Sequence, residues 1–236
     1  AVWNDLYEHR LHFRKYSLHT KIVLTADLFL LFAGALLFYL IEHDDLFAGM
    51  TMTGKVLSSF FCAVTPRTAG FNTVNVSGLT DASKLLTVIL MFIGGAPGST
   101  AGGIKVTTIV VLLVYLKANL TRTVGYNIFG RRLEDDALRK SAAVFCTNLF
   151  LATTAALILC ALQNFNGLDT LLEVISAIST VGMTAGLTTQ LNMISRMVVI
   201  LLMYLGRVGS LSFAMSFTDK KKIAHVMQPA EKINIG

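Results

Sequence analysis

The sequence predicts an all-α membrane protein built from two parallel membrane–pore-loop–membrane repeats. Three observations carry this. The 236 residues are 54% hydrophobic and 14% charged, with a mean hydropathy of +0.64, more apolar than a soluble core of this size requires. Four apolar stretches, 22–41, 85–116, 142–162 and 193–217, have about the 20 residues that a 30 Å hydrocarbon layer needs. Two shorter apolar segments each end in a Thr-x-Gly tetrapeptide, and the two tetrapeptides lie 112 residues apart.

Residues 1–21 are polar and basic and read as a cytoplasmic linker. They open on AVWNDLYEHRLHFRK, with no initiator Met and no apolar signal core, as expected of an internal piece of a longer protein. The first repeat covers 22–116, a cytoplasmic loop 117–140, the second repeat 141–217 and a cytoplasmic tail 218–236. Lys and Arg set the orientation, because fourteen of the twenty fall in the linker, the central loop and the tail, and basic loops stay inside. Lys55, Arg67, Lys84 and Arg196 fall on the opposite side, which leaves Lys105 and Arg207 at membrane depth. The net charge of +6 is explained by topology and is not read as nucleic-acid binding. Cys62, Cys146 and Cys160 have neither paired spacing nor His neighbours and read as small buried hydrophobes.

Between the spans, MTGKVLSSFFCAVT and LDTLLEVISAIS read as short helices that cannot cross, hence as re-entrant segments. They lead into Thr68-Ala69-Gly70-Phe71 and Thr180-Val181-Gly182-Met183. The offset of 112 continues, pairing Ser83 with Ser195, Lys84 with Arg196, Leu90-Met91 with Leu202-Met203 and Gly94 with Gly206. Copies with the same polarity are parallel repeats, arranged about an axis along the membrane normal.

Irregular backbone at membrane depth survives only where protein or a water-filled path satisfies its amides and carbonyls. Carbonyls turned into a pore do so by replacing an ion's hydration shell, as the TVGYG loops of potassium channels do. Glycine suits this because left-handed angles cost a residue with a Cβ roughly 1–2 kcal/mol. Each short helix should present its carbonyl end, with its partial negative charge, to the cation. No Asp or Glu lies between Gly54 and Val76, or between Val174 and Thr218, so the expected site holds no fixed charge. A membrane glycine more often serves close helix packing, yet two Thr-x-Gly tetrapeptides at equivalent positions favour the filter.

The second span contains GGAPGSTAGG, five glycines and Pro97, and must break at 94–103, facing the pore's water. Arg207 stands where the second span has Gly95, so it should face the bundle interior or a cavity, take carbonyls of the break as partners and add to a cation barrier. A passive kink and a structural tie are the simpler readings of these two features. Asp27 is expected to reach the inner interface from just over a turn inside span one. Lys105 is expected to snorkel to the inner interface or to pair with loop acceptors. Arg67 is expected to be solvated, or to cap a helix, on the outer side.

With these stretches in view, the chain resembles the Trk/Ktr/HKT superfamily of potassium transporters, nearest to the membrane subunit of bacterial Ktr systems. The resemblance rests on SLHTK at 17–21, TPRTAGFNT at 65–73, GGAPGSTAGGIK at 94–105, ISTVGMTAGLT at 178–188, GRVG at 206–209 and the closing AEKINIG. Family subunits carry four repeats, so the chain is similar to the third and fourth, half of a potassium-channel-like pore. The resemblance implies potassium, with sodium as a further candidate ion, passing a filter of Thr68, Ala69, Gly70, Thr180, Val181 and Gly182. It implies an intramembrane gate made by Gly94, Gly95, Pro97, Gly98, Ser99, Gly102, Gly103, Lys105 and Arg207. It further implies the N-terminal half as a partner in the ring, a homodimer, a cytosolic nucleotide-binding RCK ring, and residence in the cell membrane. Ser210 departs from the pattern, which has a proline there.

No organic cofactor is expected, and no metal other than the transported ion at the filter. No nucleophile–base pair, metal cluster or phosphate loop appears in the sequence, so covalent catalysis is not expected; GSTAGGIK lacks P-loop spacing. The alternative is a secondary carrier of another small cation or solute that uses the broken helix as its binding site. Carriers of that kind usually use inverted repeats and a polar pocket, unlike the parallel repeats here.

Overall fold

The computed structural model describes residues 2–9, 12–99, 101–121 and 125–209. Helix α1 spans Val2–His9 and α2 spans Leu18–Glu42. Ser17 caps α2, accepting from the Thr20 amide at 3.3 Å, while its own hydroxyl and amide donate to Asp5 at 2.6 and 3.0 Å. The re-entrant helix α3 spans Met52–Val64, and the second span follows as α4 (Asp81–Phe92) and α5 (Val106–Leu120). A two-residue hairpin, β1 (Asn127–Ile128) with β2 (Arg131–Arg132), precedes α6 (Asp135–Leu162). The second re-entrant helix α7 spans Gly167–Ile178, and α8 spans Met193–Val208.

Both basic segments, 1–21 and 117–140, carry more helix than a linker. α2 starts at Leu18 and α6 at Asp135, because backbone hydrogen bonding continues past the apolar stretch into charged residues. Asp135 and Asp136 favour the positive end of α6, and Lys140 pairs with Asp136 at 2.6 Å one turn on. The break in the second span runs from Ile93 to Lys105, slightly wider than 94–103. The end of span four at 210–217, Ser210 and the tail 218–236 lie outside the described residues.

α2 and α6, with 25 and 28 residues, are long and apolar enough to cross a membrane as single helices. Phe29, Phe32, Leu36 and Leu40 form an exposed apolar stripe on α2, the reverse of a soluble helix. Cys62 is buried, but Cys146 and Cys160 lie exposed on α6, correcting the expectation for those two: they belong to the outward face of a helix that packs along a narrow strip.

Two cores meet at α4. Leu90 packs with Phe38, Phe47, Cys62 and Ala63 of the first repeat, while its neighbour Met91 packs with Leu159, Leu172 and Ile178 of the second. Lys84 pairs with Asp169 across the same boundary at 2.8 Å. Glu42, fully buried at the end of α2, accepts from the Thr80 amide and hydroxyl at 3.0 and 2.7 Å and fixes the start of α4. The repeat is visible in the caps as well. Thr80 caps α4 through the Ser83 amide, and its 112-offset partner Asn192 caps α8 through the Ser195 amide.

Candidate functional site

Each re-entrant helix ends at a tight turn followed by irregular backbone, and the two copies repeat the same dihedral pattern. Thr68 and Gly70 have φ of +85° and +72°, and Thr180 and Gly182 have +55° and +88°. Glycine adopts this region freely, whereas threonine does so at a cost, so the pattern is imposed by the surrounding packing. Sequence reading anticipated the glycines and missed the threonines, since threonine gives no left-handed signal.

The structure brings the two Thr-x-Gly segments together. A Cβ on Gly70 would lie 2.2 Å from the Val181 carbonyl oxygen and 4.0 Å from the Gly182 Cα. Close packing and irregular backbone thus coincide at Gly70. The first turn is strapped by the Thr65 hydroxyl, which donates to the Phe71 carbonyl. The second is strapped by Glu173, 5% exposed, whose carboxylate accepts from Thr184 at 2.8 Å and also from Thr188. Sequence reading found no carboxylate between Val174 and Thr218, and Glu173 lies one residue outside that window. The available signal was Glu173 itself, an acid flanked by apolar residues in LLEVISAI, one turn after Asp169.

The break in the second span docks on the second Thr-x-Gly segment. The Gly102 amide donates to the Thr180 hydroxyl at 3.0 Å, and the Gly103 amide to the Ile178 carbonyl at 3.2 Å, using an oxygen that the end of α7 leaves open. Across the break, Gly94 donates to the Ile104 carbonyl at 2.8 Å and Val106 to the Gly95 carbonyl at 3.3 Å, so its two ends lie side by side. On the other side of the Ile178 carbonyl sits α8: a Cβ on Gly206 would lie 2.0 Å from that oxygen.

The residues expected at the gate divide between two cavities. Gly98, Ser99, Gly102, Gly103, Lys105 and Arg207 line one of about 400 Å³. Gly95 lines another, of about 510 Å³, with Thr68 and Ala69. Gly94 faces the Gly102 carbonyl, and Pro97 stands in the turn at the tip, lining neither cavity. Arg207 therefore meets the far half of the break. Lys105 takes a loop acceptor, the Ala101 carbonyl. Arg67 does not stand solvated, with 13% of its side chain exposed, and Asp27, the tenth residue of α2, is 31% exposed. They form an ion pair, in which the partly withdrawn carboxylate of α2 takes its counter-charge from the turn that ends at Arg67.

Residues 11–225 match the family model described as TrkH, cation transport protein. The chain belongs to this family. The potassium/sodium uptake protein NtpJ of Enterococcus hirae is 36% identical over 243 residues, covering 100% of this chain and 53% of that protein. The Ktr system potassium uptake protein B of Bacillus subtilis is 34% identical over 238 residues, with the same coverage of 100% and 53%. The chain thus spans about half the length of these TrkH-family relatives. The crystal structure of the potassium transporter TrkH from Vibrio parahaemolyticus superposes with a TM-score of 0.69 at 21% identity, covering 83% of this chain and 44% of that one. That likeness is one of fold: an all-α membrane architecture of membrane–pore-loop–membrane repeats.

Proposed function

We propose that this chain forms half of a channel-like pore for potassium uptake across the cell membrane. One observation carries the reading: two equivalent Thr-x-Gly segments hold left-handed backbone at matching positions and meet where Gly70 abuts the Val181 carbonyl. Exposed carbonyls on such backbone can replace the hydration shell of a monovalent cation without fixed charge in the path. Thr68, Ala69, Gly70, Thr180, Val181 and Gly182 supply the filter here, and the remaining half of a longer protein completes the ring.

The break from Gly94 to Lys105, with Arg207, serves as the gate, lying across the route that leads from the second filter to the cytoplasm. Potassium is the leading ion because both relatives are named for its uptake, and sodium is the further candidate because NtpJ is named for it as well. The complete subunit works as a homodimer regulated by a cytosolic nucleotide-binding ring, with the basic segments 1–21 and 117–140 on the cytoplasmic face. The protein performs transport, without covalent chemistry.

The test is uptake of potassium and sodium by cells that lack their own potassium uptake and express the full-length protein. Growth at low potassium that is lost when the filter glycines are replaced supports the reading. Uptake unaffected by those replacements overturns it in favour of a carrier site elsewhere.

A further inference from the structure

We propose that Asp27 and Arg67 are a positioning pair for the first filter, fixing it to the first span and keeping the wall beside it electrically balanced. The proposal rests on the conduction reading and adds two residues to its machinery.

Arg67 ends the turn Thr65–Arg67, and the next residue is the left-handed Thr68. Its guanidinium donates twice to one residue 40 positions earlier, to the Asp27 carboxylate and, at 3.4 Å, to the Asp27 carbonyl. Both side chains are largely withdrawn from the surface, at 13% and 31% exposure. A fork held at two points on a regular helix fixes the direction of the chain entering Thr68. The pair also lines the cavity of about 510 Å³ with Thr68, Ala69 and Gly95, and its members are the only charged side chains among the described residues that do so.

Comparison with the second repeat explains why the first needs this pair. The 112-offset counterparts of Asp27 and Arg67 are Arg139 and Ser179, which cannot form such a bridge. There the break does the holding, through Gly102 on Thr180 and Gly103 on Ile178, and a Cβ on Gly103 would lie 2.6 Å from the Ser179 hydroxyl. One filter is therefore tied to the gate and the other to a rigid span. Movement of the break releases the second filter and leaves the first in place.

Unpairing either partner changes the field on a cation in opposite senses. Asp27→Asn leaves a guanidinium facing the cavity, and the KM for potassium should rise about tenfold, the factor that 1.4 kcal/mol produces. Arg67→Gln leaves a carboxylate there, so KM and maximal rate should both fall as the ion is held too long. The double variant Asp27→Asn with Arg67→Gln should return to within about twofold of the parent KM. Uptake by the full-length protein reads all three. Single variants that both lose rate without opposite KM shifts, or a double no better than the worse single, would overturn the pair. If a single variant fails to reach the membrane, the exchange Asp27→Arg with Arg67→Asp decides, recovery supporting the pair and failure to recover rejecting it. An uptake-silent parent would overturn the conduction reading instead. The pair would then stand or fall on melting temperatures of the purified variants, where additive single and double effects reject it.

Discussion

The Gly102 amide donates to the Thr180 hydroxyl at 3.0 Å, so the break in the second span and the second Thr-x-Gly segment share a hydrogen bond. Thr180→Val keeps the shape and removes the acceptor, at a cost of about 1 kcal/mol or more for the orphaned amide. The break should loosen, and rubidium flux into proteoliposomes should rise while preference for potassium over sodium falls. Flux and preference both at the parent level would show that this bond does not restrain the break.

Two filter glycines should respond differently to a side chain. At Gly182 nothing lies within 4 Å of an added Cβ, and the cost is the roughly 1–2 kcal/mol of left-handed strain at φ +88°. Gly182→Ser should reach the membrane normally and show weakened preference for potassium in paired uptake assays. Unchanged selectivity with normal expression would assign Gly182 to packing alone.

At Gly70 the same strain is joined by a clash, since the Cβ would lie 2.2 Å from the Val181 carbonyl oxygen. Gly70→Ala should displace the second filter as well as the first. Selectivity should be lost more completely than in Gly182→Ser, with a lower melting temperature. Equal effects of the two substitutions would count against contact between the filters.

Arg207 shares its cavity with Gly98, Ser99, Gly102, Gly103 and Lys105. Removing its charge lowers the repulsion met by a cation, and shortening the break removes the obstruction itself. Arg207→Ala and a deletion within 96–102 should each raise ion flux through the reconstituted full-length protein. Parent-level flux in both, with folding and selectivity intact, would rule out the break as gate.

Gly206 tests the packing of α8 on the end of α7. Its Cβ would lie 2.0 Å from the Ile178 carbonyl oxygen, against backbone that cannot swing aside, so Gly206→Ala should sharply reduce the yield of folded protein. Gly98→Ala meets nothing within 4 Å at φ +88° and should cost only the local strain. Folded yields of the two variants in detergent compare them directly.

Much of this arrangement was legible from residue order, for identifiable reasons. The 112-residue offset exposed the duplication because the caps, the re-entrant helices and the filter turns all repeat. The break was legible because glycine and proline oppose helix wherever they cluster. The starts of α2 and α6 were not, since counting apolar residues stops at the interface while the helices continue through Lys21 and Lys140. Nor were the partners of Arg67 and Glu173, because a single buried charge declares a need for a partner without naming it. Asp27 lies 40 residues from Arg67, and the threonines that meet Glu173 sit 11 and 15 residues on, beyond the filter.

The ion pair between Lys84 and Asp169 imposes an order on biogenesis. Its partners are 85 residues apart, and α4, which carries Lys84, belongs by sequence to one repeat while Met91 buries itself in the other. When the ribosome has finished the first repeat, α4 is in the bilayer with half of its neighbours still untranslated. At about 5–20 residues per second that interval lasts several seconds or more. During it Lys84 has no carboxylate from α7 and the apolar side of α4 faces lipid. Insertion and folding are therefore separated in time, and a chain halted between the repeats would present to quality control a helix whose charged end is unmatched.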